Sequence, residues 1–123
     1  MNNNVTFFYL ILYVSLYAIF NVAGIALIKQ NIDLNSLKSL QGYVKFLFKP
    51  IIILAFIFIF ISLFFALNAI ANFPITLVYP LAVSINFLIT ILVGTFFLNE
   101  NFDFVSFIGV IVILAGIAIL TFK

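Results

Sequence analysis

The chain has 123 residues, 67% of them hydrophobic, with five basic and three acidic side chains, and its mean hydropathy of +1.45 is more than a soluble domain of this size can enclose in one core. The absence of His and Cys removes disulfides, thiolate nucleophiles, imidazole or thiolate metal sites and the usual general base, so no enzyme, metal site or cofactor is expected. The net charge of +2 reflects scattered loop lysines rather than a basic patch for nucleic acid, which leaves an all-α integral membrane protein as the expected class.

The first predicted span covers residues 5–28, VTFFYLILYVSLYAIFNVAGIALI, which has no charge before Lys29. At about 1.5 Å per residue it crosses a hydrocarbon core of roughly 30 Å. It is too long for a signal peptide core and lacks the basic lead of one, so it reads as a permanent span. Within it Tyr13, Tyr17 and Asn21 recur every four residues, with Gly24 one turn on. That spacing makes a polar stripe whose glycine permits close helix approach. Tyr9, nearer the membrane surface, suits the aromatic belt, and Tyr13 suits either role.

Residues 31–49, NIDLNSLKSLQGYVKFLFK, differ in kind. Leu34, Leu37, Leu40, Val44 and Leu47 recur at helical spacing, while Lys38, Lys45 and Lys49 fall within about 40° of one another on the opposite side. This pattern predicts a short amphipathic helix in the headgroup plane, a solvated loop being the alternative.

The second span, 50–71, opens with Pro50 at a position that suits the first turn of a helix. Its Ser62 and Asn68 are isolated, so a packing or lipid-facing role is expected. The third, 74–98, follows after so short a connection that the two must form an antiparallel hairpin. Here Tyr79, Asn86 and Thr90 project within about 40° of one another, beside Pro80, which removes a backbone donor and kinks the helix. Each polar group at this depth should face protein, water or a ligand. The stripe reads as one wall of a polar cavity, or alternatively as interhelical glue. The fourth span, 104–122, has Asp103 as its expected N-cap. Its Gly109 and Gly116 offer a small face for close packing, either within the chain or in a dimer. Glu100, past the C-terminal end of the third span, calls for a cation there, either Lys29 or a substrate amine, a solvated loop acid in LNENFD being the alternative.

One transmembrane domain over 1–123 is therefore predicted, a four-helix bundle with an interfacial helix in its first loop. Lys29, Lys38, Lys45 and Lys49 all fall in that loop, which places loops one and three in the cytoplasm and both termini outside, across the plasma (inner) membrane.

The layout resembles the drug/metabolite transporter superfamily, in particular its four-helix members. FNVAGIALIK, FPITLVYPLA and GTFFLNENFDFVSFIGVIVILAGIAIL resemble the first, third and fourth helices of the small multidrug resistance family. That family's proton-exchanging glutamate falls at Asn21, and an asparagine has no proton to release. The chain is more similar to the paired small subunits of the undecaprenyl-phosphate aminoarabinose flippase. The likeness rests on Val22, Ala23, Gly24, Lys29 and Gln30 in the first helix and on Tyr79, Pro80, Ser84, Asn86, Phe87 and Glu100 in the third, with one extra residue between the two parts of the latter motif. The resemblance implies a transporter subunit moving a lipid-linked sugar or similar amphiphile between leaflets, with Tyr17, Asn21, Lys29, Tyr79, Asn86, Thr90 and Glu100 as candidate substrate contacts. The partner implied is a paralogous four-helix subunit, a homodimer being the alternative. The rival functions are a multidrug-type exporter of cations and a structural or regulatory subunit without a substrate.

Overall fold

The computed structural model describes residues 3–122. Its helices are α1 (Asn3–Asn31), α2 (Leu40–Leu47), α3 (Pro50–Asn72), α4 (Ile75–Phe96) and α5 (Phe104–Phe122), with a 3-10 turn at Ser36–Lys38. Three helices are long and apolar enough to cross a membrane, over Thr6–Asn31, Pro50–Asn72 and Ile75–Phe96. The apolar stretch of α5, Phe104–Leu120, is shorter.

Local chemistry sets the boundaries. Lys49 is extended and Pro50 occupies the start of α3, where its missing N–H would have had no helical partner. Pro74 differs from expectation, since it caps α4 from outside with φ −62° and ψ 140°. Its carbonyl accepts from the N–H groups of Leu77 and Val78, both at 3.0 Å, so the ring's fixed φ and missing donor both fall outside the hydrogen-bonded ladder. Pro80 lies inside α4 without ending it. In loop one, Ser39 is extended and its hydroxyl accepts from the Gly42 N–H at 3.1 Å. This cap starts α2 and leaves Leu34, Leu37 and Lys38 outside the helix. Asp103 caps α5, accepting from the Ser106 N–H at 2.9 Å. Hydrogen bonds from the Ser106 hydroxyl and N–H hold its carboxyl below the usual aspartate pKa.

The bundle is organised around α1, which packs along α3 and α4 while those two barely touch each other. Leu10, Val14, Ala18 and Val22 form its buried stripe, at the four-residue spacing that keeps side chains on one helix face. The facing residues of α3 are Ile52, Ala55, Ser62 and Ala69, mostly small. Ser62 is 1% exposed and donates to the Ile59 carbonyl at 2.5 Å, so its burial leaves no unpaired hydroxyl. α3 therefore packs on α1 through this face. The Phe20 ring of α1 lies 5.9 Å from Phe58 and 5.8 Å from Phe65, aromatic contacts worth roughly 0.5–1.5 kcal/mol each.

The glycines divide into two kinds. A Cβ on Gly24 would lie 2.7 Å from both the Ala55 carbonyl oxygen and Ile59 Cγ1, so this glycine sets the α1–α3 separation. A Cβ on Gly109 or Gly116 would meet nothing within 4 Å. Of the described helices, α5 touches only α4, and among the described residues its Gly109 and Gly116 face meets no neighbour.

Gly24→Ala should therefore destabilise the chain by about 1–3 kcal/mol, the usual range for overpacking, whereas Gly116→Ala should leave its stability unchanged. Unfolding in detergent micelles at fixed protein concentration measures both. Equal behaviour of the two variants would contradict the assignment of Gly24 to the α1–α3 contact.

Candidate functional site

Because α3 and α4 diverge on either side of α1, a groove of about 560 Å³ opens between them. Val14 and Tyr17 of α1 form its floor, Leu63, Ala66, Ala69 and Ile70 of α3 one wall, and α4 from Ile75 to Thr90 the other. On α3 these residues lie in the half nearest the connecting turn, and on α4 they run from that turn past the midpoint of the helix. The groove thus lies mostly in the half of the bundle nearer Asn72 and Phe73. Its lining is apolar except for Tyr17, Tyr79, Asn86 and Thr90, and none of its lining residues is charged.

Helical spacing places these polar groups in line. Asn86 is near the middle of α4, about 16 Å from its start at 1.5 Å per residue, and Tyr79 is two turns nearer the Pro74 end. Asn86 Nδ2 donates to Asn21 Oδ1 at 3.2 Å, and Thr90 Oγ1 donates to Asn86 Oδ1 at 3.2 Å. The polar stripes of the first and third predicted spans therefore meet in one hydrogen-bonded chain. Ser84, on another face, donates instead to the Pro80 carbonyl at 3.1 Å. Tyr79 is 68% exposed, and among the described residues neither its hydroxyl nor that of Tyr17 has a hydrogen-bond partner. Both hydroxyls are open to a bound group.

Four of the predicted site residues, Tyr17, Tyr79, Asn86 and Thr90, thus share one groove. Asn21 backs it through Asn86. Lys29 and Glu100 lie elsewhere, at the opposite end of α1 and α4, where Lys29 Nζ pairs with Glu100 Oε1 at 2.5 Å. Of the two cations considered for Glu100, the structure supplies the one within the chain. The pair also requires the first and third loops to lie at one end of the bundle.

Two residues not singled out in the sequence make that ion pair possible. Asn99 has φ +54°, a left-handed conformation that asparagine tolerates better than other non-glycine residues. The turn folds Glu100 back so that its N–H donates to the Gly94 carbonyl at 2.9 Å. Its carboxylate then lies over Gly94, where an added Cβ would come within 3.0 Å of Oε2. The sequence signal was present in an Asn directly after an apolar helix, a position that favours a left-handed cap. The α3 wall was also missed, because alanines at helical spacing look the same whether they pack or line a groove.

No family model, curated protein or solved structure matches the chain.

The side chains of Lys29 and Glu100 are 61% and 45% exposed, so their pairing should be modest. A double-mutant cycle with Lys29→Gln and Glu100→Gln should give a coupling of about 0.2–1 kcal/mol that shrinks as salt rises. Gly94→Leu should abolish that coupling by displacing the carboxylate. Strictly additive single effects at low salt would show that the two charges act separately.

Proposed function

We propose that this chain is a four-span transporter subunit that moves an amphiphile with a hydrogen-bonding, sugar-like headgroup between leaflets, of the class of a polyisoprenyl-phosphate-linked sugar. The observation that carries the reading is the groove between α3 and α4. Its apolar walls suit a hydrocarbon tail, while Tyr17, Tyr79, Asn86 and Thr90 line up to meet hydroxyls. At bilayer depth a bare hydroxyl is costly; Asn86 and Thr90 are paired, and the open hydroxyls of Tyr17 and Tyr79 would be satisfied by a polar group passing along the groove. The lysines of loop one stand at the end of the bundle opposite the groove, where they attract the lipid phosphate once the headgroup has crossed. The cation-exporter alternative finds no acid among the residues lining the groove, and Glu100 is engaged by Lys29. A non-transporting subunit accounts for the Asn21–Asn86–Thr90 chain as an interhelical contact but leaves the open hydroxyls of Tyr17 and Tyr79 without a role.

In this reading α5 crosses the membrane as the fourth span, and α2 lies at the cytoplasmic surface. The open face of Gly109 and Gly116 receives a second small membrane protein, because four spans are too few to enclose a pathway. A chain with four lysines in loop one and only Lys123 beyond the last span has a fixed orientation. An antiparallel homodimer is then unavailable, and the inverted half comes from a paralogous chain of opposite lysine bias.

Two experiments test this reading. In proteoliposomes containing both subunits, Asn86→Leu should reduce translocation of a polyisoprenyl-phosphate sugar at least tenfold while the protein remains inserted and folded. Parallel loss of fold and transport would make Asn86 an interhelical contact only, and proton-linked uptake of a quaternary amine would favour the cation exporter. For orientation, a reporter at Lys123 should be extracytoplasmic and single cysteines in loop one should be labelled only from the cytoplasm. A substantial population of the opposite orientation would return the homodimer to first place.

A further inference from the structure

Helix α2 presents three distinct faces, and only one of them is used by the protein. Phe46 is 5% exposed and holds the helix against the bundle, with the Lys49 ammonium 5.7 Å from the centre of its ring. At roughly 100° per residue, Leu40, Tyr43, Val44 and Leu47 share an arc about 110° away from Phe46. They remain 82%, 47%, 47% and 43% exposed. Lys45 projects opposite that arc. Both tethers of α2 lie at the same level, since α1 ends at Asn31 and α3 begins at Pro50. The helix is therefore confined to the ends of two antiparallel membrane-crossing segments, where the headgroups lie.

An apolar arc at that level, flanked by cations, matches one chemistry. Lys38, Lys45 and Lys49 are exposed, and Asp33 is the one acid in the loop sequence. Zwitterionic headgroups satisfy the apolar arc but give the lysines no net attraction, whereas anionic phospholipids satisfy both. We propose that α2 is a docking helix for anionic phospholipid headgroups, with Leu40, Tyr43, Val44 and Leu47 inserted among the upper acyl chains and Lys38, Lys45 and Lys49 on the phosphates. The inference rests on the membrane placement of α1 and α3 in the preceding reading and is independent of what the groove carries.

The sequence contains no tryptophan, so a single introduced one is an unambiguous reporter. Leu40→Trp, Gln41→Trp and Phe60→Trp full-length proteins are reconstituted in phosphatidylcholine vesicles with and without phosphatidylglycerol. Fluorescence quenching by bromine-labelled acyl chains is compared with quenching by aqueous acrylamide. The expected result is that Trp at position 40 is quenched by shallow bromines and shielded from acrylamide at least threefold better when phosphatidylglycerol is present. Replacing Lys38, Lys45 and Lys49 by Gln removes that advantage, and the tryptophan at position 41 stays open to acrylamide. Overturning results are equal acrylamide access at positions 40 and 41, insertion independent of anionic lipid, or shielding from both quenchers, which would place a protein partner on the helix. Position 60, mid-way along α3 and lipid-exposed, separates the two failures: if it is not reached by deep bromines, the membrane placement itself is wrong.

Discussion

The close approach of α1 to α3 at Gly24 is the contact on which the rest of the molecule depends. In lipid the solvent is as apolar as the side chains, so burial of hydrocarbon supplies little net drive and helices associate through tight packing and hydrogen bonds. Gly24, Ala55, Ser62 and Ala69 let two backbones come together where the flanking Phe and Ile residues would hold them apart. With α1 seated on α3, its remaining flank is what α4 can reach. The α4 contact is made by Val78 and Leu81 against Leu10 and Val14 and by Asn86 on Asn21. The groove is a by-product of this order, since a third helix that packs on α1 rather than on α3 leaves a cleft between the two.

The same arrangement gives the bundle two unlike ends. Towards the α3–α4 turn a cleft lies between those helices beside the Leu10–Val14–Ala69–Val78–Leu81 cluster, while towards loop one the bundle is held by the Gly24 contact and the Lys29–Glu100 pair. Asn21 and Asn86 stand between the halves. Their hydrogen bond joins α1 to α4, and Asn86 also lines the groove, so helix packing and the groove wall draw on the same amide.

Much of this was legible in the sequence, for identifiable reasons. Long apolar runs separated by prolines and charges locate helices well, because few structures other than helices satisfy backbone groups in lipid. The polar stripes were legible because helical spacing alone aligns Tyr79 with Asn86 and Thr90, and Tyr17 with Asn21. That the stripes meet depends on which helices are neighbours, which periodicity within one helix does not encode. Gly24, Gly109 and Gly116 carry the same sequence signal, yet one is clamped against a backbone oxygen and two face open space. The difference lies in the partner surface, not in the glycine. The Asn99 turn was overlooked because a loop reading stopped at the charges around it.

The Asn21–Asn86 bond joins residues 65 positions apart, and this separation is also an interval of time. At a synthesis rate of roughly 5–20 residues per second, Asn86 emerges about 3–13 s after Asn21. Helix α3 is the first partner to arrive, and the α1–α3 pair can form with its small residues alone. Asn21 meanwhile waits on the exposed flank, where the translocation channel and interfacial water are its available hydrogen-bonding company. An amide is costly in lipid without a partner, so the residue that backs the finished groove through Asn86 also weighs on when α1 can leave a hydrated setting and on which flank α4 joins it.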